Sequence, residues 1–183
     1  MNETLRQELL GIFVGRATKR YGLSAINQLQ HALQAAQHAE RDGCTPATVL
    51  ACLLHDVGHM IHELGEDPAA RGVDDVHEEL GAKWLAGRFG PEVSEPVRLH
   101  VAAKRYLVTV EKDYHAKLSP DSVRSLGLQG GLMSADELGA FRANPWHAEA
   151  VRLRRYDEAA KDPRATTPDF DHFLRHVSAV SVK

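Results

Sequence analysis

Val49-Leu50-Ala51-Cys52-Leu53-Leu54-His55-Asp56-Val57-Gly58-His59 is an apolar run that ends in metal-ligating side chains. The run is apolar on every face of a helix, so the segment is expected inside the protein, carrying an imidazole and a carboxylate in with it. Such groups cost several kcal/mol to bury alone, roughly, and other segments must supply their partners. On a continuous helix His55 and His59 lie one turn apart on one face. Asp56 points about 100° round and can offer its two oxygens to two different ions, which makes a bridging carboxylate its natural role.

Outward from this stretch the chain is punctuated as a series of helices. Thr45-Pro46, Glu95-Pro96, Ser119-Pro120, Asn144-Pro145 and Thr167-Pro168 each put a proline where a first helical turn accepts it. Apolar residues recur at intervals of three and four in Leu5, Leu9, Ile12 and Phe13, in Val76, Leu80, Trp84 and Leu85, and in Phe170, Phe173, Leu174 and Val177. No segment alternates as a strand. Helices are expected over 2–21, 25–42, 46–61, 75–89, 96–110, 120–126, 134–142, 145–161 and 168–181. Gly43 and Gly90 are read as C-terminal caps, and Ser134 to Glu137 as a capping box. The segments 63–74 and 127–132, the second with Gly130-Gly131, are expected as loops. The fold class is all-α, a helical bundle forming one domain over 1–183, a length suited to one core.

Composition narrows the functions. With 22 basic and 25 acidic residues the net charge is -3, which gives no overall attraction for nucleic acid or anionic lipid. No apolar run approaches the roughly 20 residues of a membrane span, and the polar start of the chain does not resemble a signal peptide, so a cytoplasmic protein is expected. Cys44 and Cys52 form neither a CxxC pair nor a disulfide framework. The count that needs explaining is that of histidine, 11, because neutral imidazole is the commonest metal ligand.

Candidate partners for His55-Asp56 are His31 in the middle of the second expected helix, His77 in the first turn of the helix carrying Trp84, His100 in the helix after Pro96, and Asp157 after Pro145. Each alone reads more readily as a packing or surface residue. Together they supply four imidazoles and two carboxylates, a set that suits two transition ions such as iron or manganese, fits zinc less well, and suits calcium or magnesium least. His38, His62, His115, His147, His172 and His176 have no such support and are read as surface or packing residues.

The spacing of His31, His55-Asp56 and a distal Asp157 resembles the HD-domain superfamily of metal-dependent phosphohydrolases and a few oxygenases. The strings Ala25-Ile26-Asn27-Gln28-Leu29, His100-Val101-Ala102-Ala103-Lys104-Arg105-Tyr106-Leu107 and Gln129-Gly130-Gly131 resemble its PhnZ-type mixed-valent diiron oxygenases. Those enzymes use O2 to cleave the carbon–phosphorus bond of 1-hydroxyalkylphosphonates, and the similarity extends over nearly the whole chain. The resemblance implies that His31, His55, Asp56 and Asp157 hold one iron and that Asp56, His77 and His100 hold the other. It implies that Tyr21 occupies the open position on the second iron until substrate displaces it, and that His59 is a substrate-side group. Lys104, Ser122, Ser125 and Arg154 match the phosphonate-binding groups. Where amine-recognising members carry a glutamate, this chain has Ser24. A serine cannot neutralise an ammonium, which points away from 2-amino-1-hydroxyethylphosphonate towards hydroxymethylphosphonate or a trimethylammonium analogue.

Two other readings use the same residues. A hydrolytic HD phosphohydrolase would attack a nucleotide or other phosphate ester with a metal-bound hydroxide, Lys104 and Arg154 holding the phosphate. A catalytically silent module would bind a phosphorylated metabolite over an incomplete metal site. All three readings take a small-molecule ligand, and the sequence does not set the oligomeric state.

Overall fold

A computed structural model describes residues 3–19, 23, 25–65, 68–180 and 182–183. The helices are α1 (Glu3–Leu10), α2 (Gln28–Arg41), α3 (Pro46–Leu54), α4 (Val57–Ile61), α5 (His77–Ala86), α6 (Pro91–Val110), α7 (Pro120–Leu128), α8 (Ala135–Ala143), α9 (His147–Ala159) and α10 (Phe170–Leu174). α1 runs on as a π-helical stretch, Gly11–Arg16, and α10 as a 3-10 turn, Arg175–Ala179. Among the described residues no strand forms, only an isolated bridge between Phe89 and Val182. The architecture is an all-α helical bundle, and no described helix is long and apolar enough to cross a membrane.

α3 is the axis of the bundle. Every residue from Thr48 to Leu54 is buried, and the helix packs against α2, α6, α9 and the C-terminal turns. The core around it joins Leu9 and Phe13 to Leu50, Leu53, Leu85, Val97, Leu153 and Phe173, and Phe13 stacks on Phe170 at 4.7 Å. A second cluster, Leu99, Ala103, Phe141 and Ala150, ties α6 to α8 and α9. The local signals are mechanistic: the Thr45 hydroxyl caps α3 ahead of Pro46, and Ser134 and Glu137 close a reciprocal capping box on α8. Gly43 takes a left-handed φ of 69° just past α2, as a C-terminal cap requires.

Three expectations are corrected. The helix expected over 46–61 is broken: α3 ends at Leu54 and α4 begins at Val57, with Asp56 at φ −95°, ψ 12°, the sparsely populated bridge region. The helix expected from Pro96 starts at Pro91, so Pro96 lies inside α6 and Gly90 is its N-cap rather than a C-terminal cap. The first helix, expected to 21, changes hydrogen-bond register at Gly11.

Gly58 explains how the broken helix meets α5. A Cβ there would sit 1.9 Å from the His77 carbonyl oxygen, and the N-terminus of α5 lies directly against it. Only glycine allows this approach, and the approach carries His77 to the centre of the molecule. Gly58→Ala is expected to force α5 away, at a cost of about 1–3 kcal/mol or more, which for a chain this size lowers Tm by about 2–4 °C per kcal/mol. Unchanged thermal unfolding of that variant would mean the close approach is not tight.

Candidate metal centre

Five helices and the α3–α4 break bring the sequence candidates together. α2 supplies His31, the end of α3 His55, the break Asp56, the first residue of α5 His77, the middle of α6 His100, and the last turns of α9 Asp157. All four histidines and Asp157 are buried. They fall into two trios of mutually close ligand atoms, His31 with His55 and Asp157, and His77 with His100 and Asp56. Asp56 reaches both: its Oδ2 lies 3.6 Å from His31 Nε2, and its Oδ1 lies 3.4 Å from His55 Nε2, 3.7 Å from His77 Nε2 and 3.8 Å from His100 Nε2.

The outer nitrogens show what the inner ones can do. Nδ1 of His31 donates to the Ala160 carbonyl at 2.7 Å, that of His55 to Cys52 at 2.8 Å and that of His100 to Val97 at 2.6 Å. A carbonyl only accepts, so each Nδ1 carries the proton, and in the neutral ring Nε2 is a bare lone pair aimed inward. His77 is pinned likewise, by Asp75 Oδ1 at 2.9 Å. Yet the Nε2 atoms approach in pairs, His31 to His55 at 3.2 Å and His77 to His100 at 3.1 Å. Two lone pairs face each other at that distance only with a cation or a proton between them. For metal–nitrogen bonds of about 2.0–2.1 Å the separation corresponds to neighbouring ligands roughly 100° apart. The residues therefore fit a pair of ions in N- and O-donor sites.

The electrostatics agree. Burial pushes His31 and His77 down, but Asp157 outweighs it for the first and Asp75 and Asp56 for the second, so both end raised, His77 to about 9. Their partners go the other way: burial lowers His55, and burial with the neighbouring His77 and His55 lowers His100 well below the usual range. Without metal, His77 thus keeps a proton where the second ion would sit. Burial works to raise Asp56 and Asp157, but the imidazoles around Asp56, and Arg154 and His31 beside Asp157, keep both carboxyls far below the carboxylate range.

Beside the trios lies a pocket whose wall carries the other candidates. Lys104, one turn after His100, is buried and donates to Ser125 Oγ at 2.8 Å. Burial, then Arg154, push its ammonium down to about 7. Arg154 is buried too, paired with Asp157 and Glu158 on its own helix and donating to Ser122 Oγ at 3.2 Å. His59 lines the pocket. The helix break removes its expected one-turn relation to His55; it stacks on His77 instead, ring centroids 3.8 Å apart, with Nε2 3.8 Å from Asp56 Oδ1. Tyr21 and Ser24 lie outside the described residues.

The sequence reading missed several groups. Asp75, two residues before His77, accepts hydrogen bonds from His59, His62 and His77, so His62 is no ordinary surface residue. Lys161 Nζ reaches Ser119 Oγ, Ser122 Oγ and Glu158 Oε2 at 3.0–3.1 Å, closing a charged cluster behind Arg154. Gln28, at the start of α2, lines the same pocket, and its buried Oε1 has no partner among the described residues. Of these only the acidic Asp74-Asp75 pair ahead of His77 was a visible signal.

Residues 28–129 match the HD domain family. The chain is 44% identical over 156 residues, 85% of its length and 78% of the relative's, to the hydroxymethylphosphonate dioxygenase of Gimesia maris. It is 39% identical over 163 residues, 89% of its length and 83% of the relative's, to the glycine-betaine-forming [1-hydroxy-2-(trimethylamino)ethyl]phosphonate dioxygenase of Leisingera caerulea.

Metal and protons compete for the same lone pairs. His77 keeps its proton up to about pH 9, so ion uptake near neutrality must expel it, and affinity falls as the pH is lowered. Calorimetric titration of the metal-free protein with manganese(II) at pH 7, in buffers of different ionisation heat, is expected to show at least about one proton released per chain. Binding without proton release between pH 6 and 8 would contradict the assignment.

Proposed function

Because the chain belongs to the HD-domain family, in the branch of the PhnZ-type HD oxygenases, we propose that it cleaves the carbon–phosphorus bond of a 1-hydroxyalkylphosphonate with O2, releasing phosphate and a carboxylate. The observation that carries this reading is a pair of His/Asp trios joined by Asp56 beside a pocket with two buried cationic side chains, Lys104 and Arg154. His31, His55, Asp56 and Asp157 are the ligands of one ion in this proposal, and Asp56, His77 and His100 those of the other. Bound there, a mixed-valent Fe(II)/Fe(III) pair supplies the one-electron chemistry and the reaction with O2 that no side chain provides.

The chain's own groups bind and orient. Lys104 and Arg154, with the Ser122 and Ser125 hydroxyls, receive the phosphonate dianion, and its arrival favours the charged form of the buried lysine. Glu158 holds the Arg154 guanidinium in place before substrate enters and accepts the Ser122 hydroxyl proton, so Ser122 turns its O–H from Glu158 to the phosphonate on binding. His59 lines the pocket beside Asp56, where it can contact the substrate's 1-hydroxyl; Tyr21 and Ser24 keep the roles implied by the resemblance.

For the substituent on C1, the pocket offers Pro68, Ala69 and Val73, and no phenylalanine, tyrosine or tryptophan lines it among the described residues. The small C1 substituent of hydroxymethylphosphonate, the substrate named for the 44% identical relative, suits these short apolar side chains, and it is the substrate we favour. With it the reaction balances as hydroxymethylphosphonate plus O2 to formate plus phosphate.

Iron-loaded protein is expected to release phosphate from hydroxymethylphosphonate in air and to stop when O2 is removed. Phosphate release that continued under argon, or turnover of a phosphomonoester with manganese alone, would make it a phosphohydrolase instead. Lys104→Ala should keep its metal but lose about 10–100-fold in kcat/KM, the size of a charged hydrogen bond. A variant with unaltered kinetics would strip Lys104 of its role.

A further inference from the structure

Three of the four inward-facing imidazoles are anchored by neutral backbone carbonyls, and His77 alone is anchored by a carboxylate. That carboxylate, Asp75, is buried, and among the described residues its hydrogen bonds from side chains are all from imidazoles. Oδ1 accepts from His77 Nδ1 at 2.9 Å; Oδ2 accepts from His59 Nδ1 at 2.5 Å and from His62 Nε2 at 3.1 Å. The arrangement requires an unusual backbone. Residues two apart on a helix do not face each other, and Asp75 reaches His77 because Val76 between them adopts φ 44°, ψ 38°. It is the one non-glycine residue with positive φ among those described, and for a β-branched side chain this is a strained conformation, costing of order 1–3 kcal/mol. Val76 is 47% exposed, so burial of its own side chain does not repay that cost. What the turn does achieve is to set Asp75 behind two stacked rings at once.

We propose that Asp75 is a positioning residue for the reaction, its two oxygens fixing the Nδ1–H tautomer of His77 and of His59 together so that both Nε2 atoms face the pocket. The inference rests on the metal-site reading above and adds to it a physical link between a ligand and a substrate-side group. A carboxylate behind a ligating imidazole fixes its orientation and raises its basicity, and loss of such a partner generally weakens metal binding or activity about 10–100-fold. Through the stacked pair, the same loss lets His59 rotate or exchange tautomers, so its Nε2 no longer presents a fixed face to the substrate.

The test uses zinc as a diamagnetic probe and 15N-labelled histidine. In the zinc-loaded wild-type protein, nuclear magnetic resonance is expected to show both His59 and His77 protonated at Nδ1, with strongly deshielded ring protons. In Asp75→Asn, whose amide cannot accept from both rings through carboxylate oxygens, those two signals should shift or vanish. Zinc titration should show one of the two ions bound about 10–100-fold more weakly while the other is unchanged within about threefold. Wild-type rings protonated at Nε2 would overturn the proposal even if the variant does not fold. So would a folded Asp75→Asn protein with wild-type ring signals and zinc affinities. Neither readout depends on oxygen chemistry, so failure of the oxygenase reading would appear separately, as absent O2-dependent phosphate release by the wild-type protein.

Discussion

The structure depends on one constraint: imidazoles whose outer nitrogens are committed to acceptors present bare inner lone pairs to each other inside an apolar bundle. Ala160, Cys52 and Val97 provide backbone carbonyls for three of them, and Asp75 a carboxylate for the fourth. Hydrophobic burial of α3 brings these groups together, and their mutual repulsion leaves the centre complete only with positive charge in it. The same helices that make the core therefore make the binding site, and the break at His55-Asp56 is the point where one becomes the other. There the chain leaves regular helix, Asp56 sets Oδ2 beside the first trio and Oδ1 between the two, and Gly58 lets α5 come close enough to contribute His77.

Much of this was legible in the sequence. The apolar run before His55 marked the central helix because nothing else explains so continuous a hydrophobic face. The proline and capping signals located the starts of α3, α7 and α8, and the six ligand candidates lie together in the fold. Other features were not legible for identifiable reasons. Pro96 reads as a helix start because proline suits the first turn, but Pro91 already occupies that place and α6 tolerates a second proline. The helix break has no proline or turn signature; it follows from tertiary demands on Asp56.

Asp75 was missed for a related reason. Periodicity describes regular helix, and the contact from Asp75 to His77 exists only because Val76 departs from it. Lys161 and Glu158 look in sequence like one more exposed i, i+3 pair, whereas in the fold they stand behind Arg154 and Ser122, and Glu158 holds the Arg154 guanidinium in place. Long-range neighbours of this kind come from packing, not from local pattern.

The central claim is that Asp56 joins two ions into one unit, and the spin state of the iron-loaded protein reports this most directly. Electron paramagnetic resonance of partially reduced protein is expected to show a coupled mixed-valent signal with one unpaired spin, and its shape should change when hydroxymethylphosphonate is added. A spectrum containing only isolated high-spin ferric iron, indifferent to the phosphonate, would contradict a shared carboxylate between paired ions.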